Sequence, residues 1–253
     1  MSGHSKWKTI KHQKGAADAK RGQLFTKLTR DIMVAVKQGG GPDPDMNYKL
    51  RLAVDKARSN SMPLDNIDRA IKRASGTGDG NENLDEVLYE GYAPGGAAIL
   101  VQALTSNRNR TASVVRSTFT KAGGALGESG SVAWNFEHKG LIVLELEPDK
   151  AEDVALSAID VGADDVKVDK GYVEVYTAPE NLKKVKDALE KQGIASASAD
   201  LAMIPKTTIS LGPKESEQAL RLLDLLEELE DSQKVYTNAD FPDEVLEKYK
   251  TQA

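Results

Sequence analysis

The chain has 253 residues, enough for two or three domains, and its 40% hydrophobic and 29% charged content is typical of a folded globular protein. It contains no cysteine, which excludes disulfides, a thiolate nucleophile and a cysteine-ligated metal. No apolar run reaches the ~18–20 residues of a membrane helix, and the start lacks an apolar signal segment, so we expect a cytoplasmic protein without a membrane partner.

The net charge of −5 conceals an asymmetry along the chain. Residues 1–75 contain 16 Lys and Arg against 7 Asp and Glu, a net charge of +9. The remainder contains 18 basic and 32 acidic residues, a net charge of −14. This imbalance predicts a polyanionic partner for the basic part, while the acidic part repels that partner and keeps the contact local.

Three amphipathic helices are predicted in the basic part, after a polar arm at residues 1–22. The first covers residues 23–38, the second covers 46–59, and the third starts near Pro63, a favourable residue in a first helical turn. Their short connections predict a small helical bundle, and residues 77–81 predict a linker after it.

Strands and helices alternate in the rest of the chain. Residues 84–137 predict ββαβ, and residues 207–237 predict βαβ. Between them, after a turn at His138-Lys139-Gly140, the pattern up to residue 204 predicts βαββαβ, the order of a ferredoxin-like unit. Neither flank is a complete domain, so the prediction is an α+β fold with three domains. These are a basic helical domain at 1–79, a middle α+β domain at 80–138 and 205–253, and an inserted ferredoxin-like α+β domain at 139–204.

The N-terminal arm is the main candidate for nucleic-acid binding. Its lysines can neutralise phosphates, and its tryptophan can stack on a base or a ribose. The alternative is a solvated tail whose tryptophan packs on the bundle. The candidate residues of the arm and of the helix that follows are Lys6, Trp7, Lys8, Lys11, His12, Lys14, Lys20, Arg21 and Lys27.

The third helix is a second candidate, because Arg69, Lys72 and Arg73 lie opposite its apolar stripe. A helix-turn-helix would place this helix in the major groove of DNA, and the alternative is an ordinary solvated face.

The segment from Ser106 to Thr111, between a strand and a helix, is a third candidate. The N–H groups at a helix N-terminus, together with Arg108 and Arg110, suit an anion. The alternative is a capped helix start, with Ser106 or Asn107 as the cap. The glycine-rich residues 123–131 lack the P-loop spacing and predict a flexible loop.

Catalytic and cofactor motifs are missing from the sequence. The three histidines, His4, His12 and His138, fall in arm or turn segments, and no metalloprotease, serine-hydrolase or kinase signature is present. We therefore predict a non-enzymatic monomer with no cofactor, no metal and no small-molecule substrate.

Several motifs resemble the YebC/PmpR family over nearly the whole chain. In the N-terminal part they are GHSKW from Gly3, DAKRG from Asp18 and FTK from Phe25. Further along they are YEGY from Tyr89 with PGG from Pro94, SNRNRT from Ser106, Gly124 with Leu126-Gly127, GSVA from Gly130 and MIP from Met203.

The resemblance implies one helical and two α+β domains in a cytoplasmic, DNA-binding transcriptional regulator. It also implies a second role, because mitochondrial relatives are translational activators of cytochrome c oxidase and bacterial relatives are linked to ribosomes stalled on proline-rich stretches. DNA and ribosomal RNA both present phosphates, so the lysine-rich arm does not decide between them. The prediction is a DNA-bound transcriptional regulator. The alternative is a ribosome-bound translation factor that relieves stalling at proline-rich stretches.

Overall fold

The structure is a computed structural model that describes residue 7 and residues 18–76, 84–169 and 171–251. For residues 18–20 it describes the backbone alone. The predicted linker at 77–81 lies outside the described residues, and so do the arm candidates Lys6, Lys8, Lys11, His12 and Lys14.

Three helices form the N-terminal domain: α1 (Asp18–Gln38), α2 (Tyr48–Ser59) and α3 (Leu64–Ala74). α2 and α3 both pack on α1, which is the longest of the three. Their apolar stripes meet in one core, so the predicted bundle is confirmed. This core includes Leu28, Ile32, Val36, Leu50, Val54, Ile67 and Ala70.

The middle domain is built from two separate stretches of chain. The first stretch supplies β1 (Asp85–Tyr92), β2 (Ala98–Thr105), α4 (Arg108–Lys121) and β3 (Ala125–Leu126). The sheet order is β3-β1-β2-β9, where β9 (Ser232–Thr237) comes from the second stretch and pairs antiparallel with β2. This pairing of β2 with β9 is the contact that a discontinuous middle domain requires. The exact boundaries of the domain stay a prediction.

The inserted domain consists of β4 (Phe136–Glu145), α5 (Ala151–Asp160), β5 (Asp165–Asp169), β6 (Tyr172–Thr177), α6 (Leu182–Lys191) and β7 (Ser198–Pro205). Its sheet has the order β5-β6-β4-β7, and each neighbouring pair is antiparallel. This is the ferredoxin-like arrangement that the βαββαβ pattern predicts. The α+β fold class is therefore confirmed.

After the insertion the chain returns to the middle domain. The elements there are β8 (Ile209–Ser210), α7 (Pro213–Glu228), β9, β10 (Ala239–Asp240) and α8 (Asp243–Thr251). Side chains of the middle and inserted sheets, among them Leu100, Phe136, Val143 and Tyr236, share one apolar cluster. This shared core joins the two α+β domains firmly.

The predicted turn at His138-Lys139-Gly140 is wrong, because β4 runs through these residues without a break. β4 pairs with β7 from Phe136 to Val143, so the three residues lie inside a ladder of hydrogen bonds. Gly140 serves close packing rather than a turn, since a Cβ there would clash with Thr177 Oγ1. The partner strand β7, some 60 residues away in sequence, decides this local conformation.

Candidate nucleic-acid interface

The basic residues of α3 lie on its solvent-facing side. Ile67, Ala70 and Ala74 are buried against the bundle core, which turns Arg69 and Lys72 outward into solvent. Arg73 is half-buried beside them. Lys72 and Arg73 occupy the last turn of the helix, where cations interact favourably with the helix dipole.

The opposite end of α3 is acidic. Asp65 and Asp68 are exposed in its first turns, and the side chain of the N-cap residue Pro63 accepts no hydrogen bond. In a helix-turn-helix, residues near the N-terminus of the recognition helix contact base edges in the major groove. Carboxylates at that end would be repelled by the DNA phosphates, because both are negatively charged. The arrangement therefore favours contact between the basic end of α3 and phosphates, rather than contact between its N-terminal residues and base edges.

The candidates on α1 fall into different environments. Arg21 is exposed, and the side chain of Lys20 lies outside the described residues. The ammonium of Lys27 is half-buried and donates a hydrogen bond to the backbone carbonyl of Glu227 in the middle domain. Lys27 therefore faces the middle domain in this conformation.

Trp7 is buried in the core of the middle domain. Its side chain is 0% exposed and belongs to the same apolar cluster as Phe119, Leu226 and Val245. Its indole Nε1–H donates to the hydroxyl of Tyr249 at 3.3 Å. The structure thus places Trp7 neither on a nucleic-acid surface nor on the bundle, and its ring is not available for stacking on a base.

The arginines at the start of α4 are ion-paired within the chain. Arg108 Nε lies 3.0 Å from Asp85 Oδ2, and Arg110 Nη2 lies 2.9 Å from Asp231 Oδ2. The side-chain oxygen of Asn107 accepts the N–H of Arg110, so Asn107 caps the helix. The geometry agrees with the capped-start interpretation, and both arginines already have carboxylate partners.

Asp231 collects several of these contacts at the junction between domains. Thr111 donates its hydroxyl to Asp231 Oδ2 at 2.7 Å, and Arg30 of α1 lies 3.6 Å from Oδ1. Burial acts to raise the pKa of Asp231, but the hydrogen bonds from Thr111 and Arg110 and the charges of Arg110 and Arg30 lower it below its ordinary value. Asp231 is therefore held as a carboxylate.

The glycine-rich segment is an ordered turn around a buried carboxylate, not the flexible loop that the sequence predicts. Glu90 accepts hydrogen bonds from the backbone N–H groups of Gly130, Val132 and Ala133 at 2.7–2.8 Å. Burial alone would raise the pKa of Glu90, but these three bonds outweigh it and lower the pKa. The carboxylate thereby fixes the backbone that leads to Trp134.

An aromatic surface patch, formed by Tyr92 and Trp134, follows from this turn. Trp134 is 68% exposed, and both its Nε1–H and the hydroxyl of Tyr92 donate to the carbonyl of Ser131 at 3.0 Å. A cavity of about 120 Å³ lies beside the two rings. Sequence reasoning missed this patch, because residues 131–137 predicted a strand and no local pattern marks a tryptophan as exposed.

Arg30 and Lys56 also carry contacts that the sequence did not single out. Arg30 reaches Glu230 and Asp231, and Lys56 reaches Asp200 of the inserted domain at 3.0 Å. One sequence feature could have indicated these contacts: Arg30 follows Lys27 by three residues, which places both on the same side of a helix.

Two negative findings apply to the described part of the chain. None of its helices combines the length and the apolar character that crossing a membrane requires. Its His, Asp and Glu side chains form no group of three or more that could hold a metal ion.

The fold combines an N-terminal helical domain with two α+β domains, and its parts match two family models. Residues 5–77 match the TACO1/YebC protein N-terminal domain, and residues 84–239 match the TACO1/YebC second and third domain. The chain belongs to this family, and the resemblance seen in the sequence motifs is confirmed.

Individual relatives match along nine-tenths or more of their length. A "probable transcriptional regulatory protein" of Dehalococcoides mccartyi is 55% identical over 253 residues, 100% of both chains. A protein of the same name from Chloroflexus aggregans is 52% identical over 98% of this chain and 99% of its own. The crystal structure of a conserved hypothetical protein from Aquifex aeolicus is similar with a TM-score of 0.81 and 45% identity, covering 89% of this chain and 93% of that one. These names support a regulatory role in general terms.

Proposed function

We propose that the chain is a non-enzymatic regulator of gene expression that binds DNA through its N-terminal domain and acts on transcription. The observation that carries this proposal is the exposed basic end of α3, Arg69 and Lys72 with Arg73 beside them, within residues 1–75, whose net charge is +9. A cluster of this kind neutralises backbone phosphates and releases their counterions. The names of the relatives support the transcriptional assignment.

A ribosome-bound translation factor that relieves stalling at proline-rich stretches is the second candidate. The aromatic surface patch favours it, because Tyr92 and Trp134 present ring surface that can stack on an unpaired base. The acidic N-terminal turns of α3 favour it as well, since they oppose the base readout that sequence-specific DNA binding needs.

Salt-dependent binding tests the role of α3. We expect the triple variant Arg69→Gln, Lys72→Gln and Arg73→Gln to bind a fluorescent duplex more weakly than the wild type. The dependence of log affinity on log salt should flatten by about 3 units, from about 0.9 per phosphate contact.

The control variant is Lys184→Gln, Lys191→Gln and Lys214→Gln, which removes the same charge from exposed positions of the two other domains. It should keep the wild-type slope. If the α3 variant also keeps that slope, α3 is not part of the interface.

The arm lysines are tested separately, because Lys6, Lys8, Lys11 and Lys14 lie outside the described residues. Changing Lys6, Lys8, Lys11 and Lys14 together to Gln should flatten the slope on duplex DNA by about 3–4 units while the α+β domains remain folded. An unchanged affinity and slope would remove the arm from the site.

Crosslinking in living cells, followed by sequencing of the bound nucleic acid, distinguishes the two candidates. Recovery of promoter DNA supports the transcriptional proposal. Recovery of ribosomal RNA near the peptidyl-transfer region, with little DNA, supports translation control instead.

A further inference from the structure

The N-terminal domain contacts the rest of the chain through cations. Arg30 donates to the backbone carbonyl of Glu230 and lies 3.3 Å from its carboxylate, while Lys27 donates to the carbonyl of Glu227. Lys56 of α2 lies 3.0 Å from Asp200 of the inserted domain. We call Lys27, Arg30 and Lys56 the inward basic face.

These cations form one surface on the domain. Lys27 and Arg30 are three residues apart on α1 and so share a side of the helix. Lys56 lies 3.6 Å from Asp31, the residue after Arg30, which places it beside the same turns of α1. The inward basic face meets acidic residues of domains whose combined charge is negative.

Trp7 of the N-terminal arm is buried in the core of the middle domain, but apolar packing between the three helices α1–α3 and the rest of the chain is sparse among the described residues. Leu52 of α2 is partly buried against the core of the inserted domain, and Leu84 is partly buried against the bundle core. The middle and inserted domains, by contrast, share a continuous apolar cluster. An interface held mainly by ion pairs weakens as salt screens the charges, whereas apolar packing does not.

Release of the N-terminal domain here means that α1–α3 move away while Trp7 stays in the core of the middle domain, and it would affect the two sides of the junction differently. Asp231 would keep Arg110 at 2.9 Å and the hydroxyl of Thr111 at 2.7 Å, and Asp200 would keep Lys234 at 3.3 Å. The side chain of Arg30, 14% exposed here, would lose its contacts with Glu230 and Asp231. Asp231 and Asp200 therefore stay paired after release, while Arg30 needs a new anion.

A nucleic-acid backbone supplies such anions. Arginine binds phosphate through two parallel, charge-assisted N–H···O bonds, which would replace the bonds that Arg30 donates to the carbonyl and the carboxylate of Glu230. We propose that the inward basic face is a second phosphate-binding surface, which the chain's own acidic domains cover and which a nucleic-acid backbone occupies once the N-terminal domain is released. This inference rests on the proposed nucleic-acid-binding function.

A reversible crosslink across the junction tests the proposal. The chain has no cysteine, so two introduced cysteines can be crosslinked specifically. Gln38 of α1 and Glu86 of β1 suit the purpose, because their side chains meet across the junction at 2.9 Å and neither belongs to the inward basic face. The variant Gln38→Cys with Glu86→Cys is joined by a bis-maleimide that contains a cleavable disulfide.

The crosslinked protein should bind a duplex DNA or a single-stranded RNA at least tenfold more weakly than the same variant before crosslinking. Its salt slope on the duplex should be flatter by about 2–3 units, corresponding to the loss of up to three phosphate contacts. Cleavage of the linker should restore both values. The control is Lys183→Cys with Asp187→Cys, crosslinked within α6, which should leave both unchanged.

Fluorescence energy transfer between dyes on the same two cysteines provides a second readout. Addition of nucleic acid should lower the transfer efficiency as the domain moves away. Binding of unchanged strength and slope by the crosslinked protein, or constant transfer at saturating nucleic acid, overturns the proposal. If the protein without the crosslink binds neither nucleic acid, the proposed function itself fails and this inference fails with it.

Discussion

The burial of Trp7 leads to a stability prediction that separates the two tryptophans of the chain. The substitution Trp7→Ala empties a fully buried site in the middle domain and removes the hydrogen bond to Tyr249. Truncating a buried aromatic side chain to alanine costs about 3–5 kcal/mol. We therefore expect Trp7→Ala to destabilise the protein by about that amount.

The matched control is Trp134→Ala, which removes the same side chain from a surface position. Trp134 is 68% exposed, and its loss sacrifices one exposed hydrogen bond to Ser131. Its cost should be about 1 kcal/mol or less. Denaturation in urea, followed by circular dichroism, measures both variants without depending on tryptophan emission.

With a urea slope of about 1–3 kcal/mol/M, a loss of 3 kcal/mol lowers the midpoint by roughly 1 M or more. Equal midpoints for Trp7→Ala and Trp134→Ala would refute the placement of Trp7 in the core. Fluorescence of the single-tryptophan variants gives an independent measurement. Trp134→Phe should leave a blue-shifted emission that acrylamide quenches poorly, and Trp7→Phe should leave a red-shifted emission that it quenches readily.

Two further predictions concern single polar side chains. The pKa of Glu90 is lower in the folded protein than its ordinary value of 4.5. Its carboxylate therefore stabilises the fold fully above pH 4.5, and this stabilisation is lost as pH falls from 4.5 through the lower pKa of the folded state. Glu90→Gln should lower the free energy of unfolding by about 1–3 kcal/mol at neutral pH. The variant should also lose less stability than the wild type between neutral and acidic pH. Urea titrations that give the same pH dependence for the wild type and the variant would contradict this. Asn107→Ala removes the cap of α4 and should lower stability by about 1 kcal/mol, measured by thermal unfolding, whereas Asn107→Asp, which keeps a capping oxygen, should retain most of it.

Local patterns predicted most of the regular elements. The three helices of the N-terminal domain follow from apolar spacings of three and four, and the βαββαβ order of the inserted domain follows from the change of period along the chain. Short elements were missed, including β3, β10 and the helix α8. A two-residue strand such as β3 exists through its pairing with β1, so no local pattern marks it.

The candidate site was less predictable than the fold. Composition located the basic part of the chain, and helix periodicity placed Arg69 and Lys72 on an exposed face of α3. Neither composition nor periodicity predicted the position of Trp7, because a tryptophan between lysines is compatible both with an exposed arm and with a side chain buried in a core. Its burial depends on packing against Tyr249, which is 242 positions away.

Local sequence patterns establish which segments are helical or extended, the order of the elements in the inserted domain and the separation of positive from negative charge. These properties depend on residues that are close together in the sequence, so a segment as long as one helix or strand is enough to predict them. Only the folded structure shows which cation pairs with which carboxylate. Arg110 meets Asp231 across 121 positions, and Lys56 meets Asp200 across 144, because the fold brings distant carboxylates to these cations and no local spacing encodes the pairs.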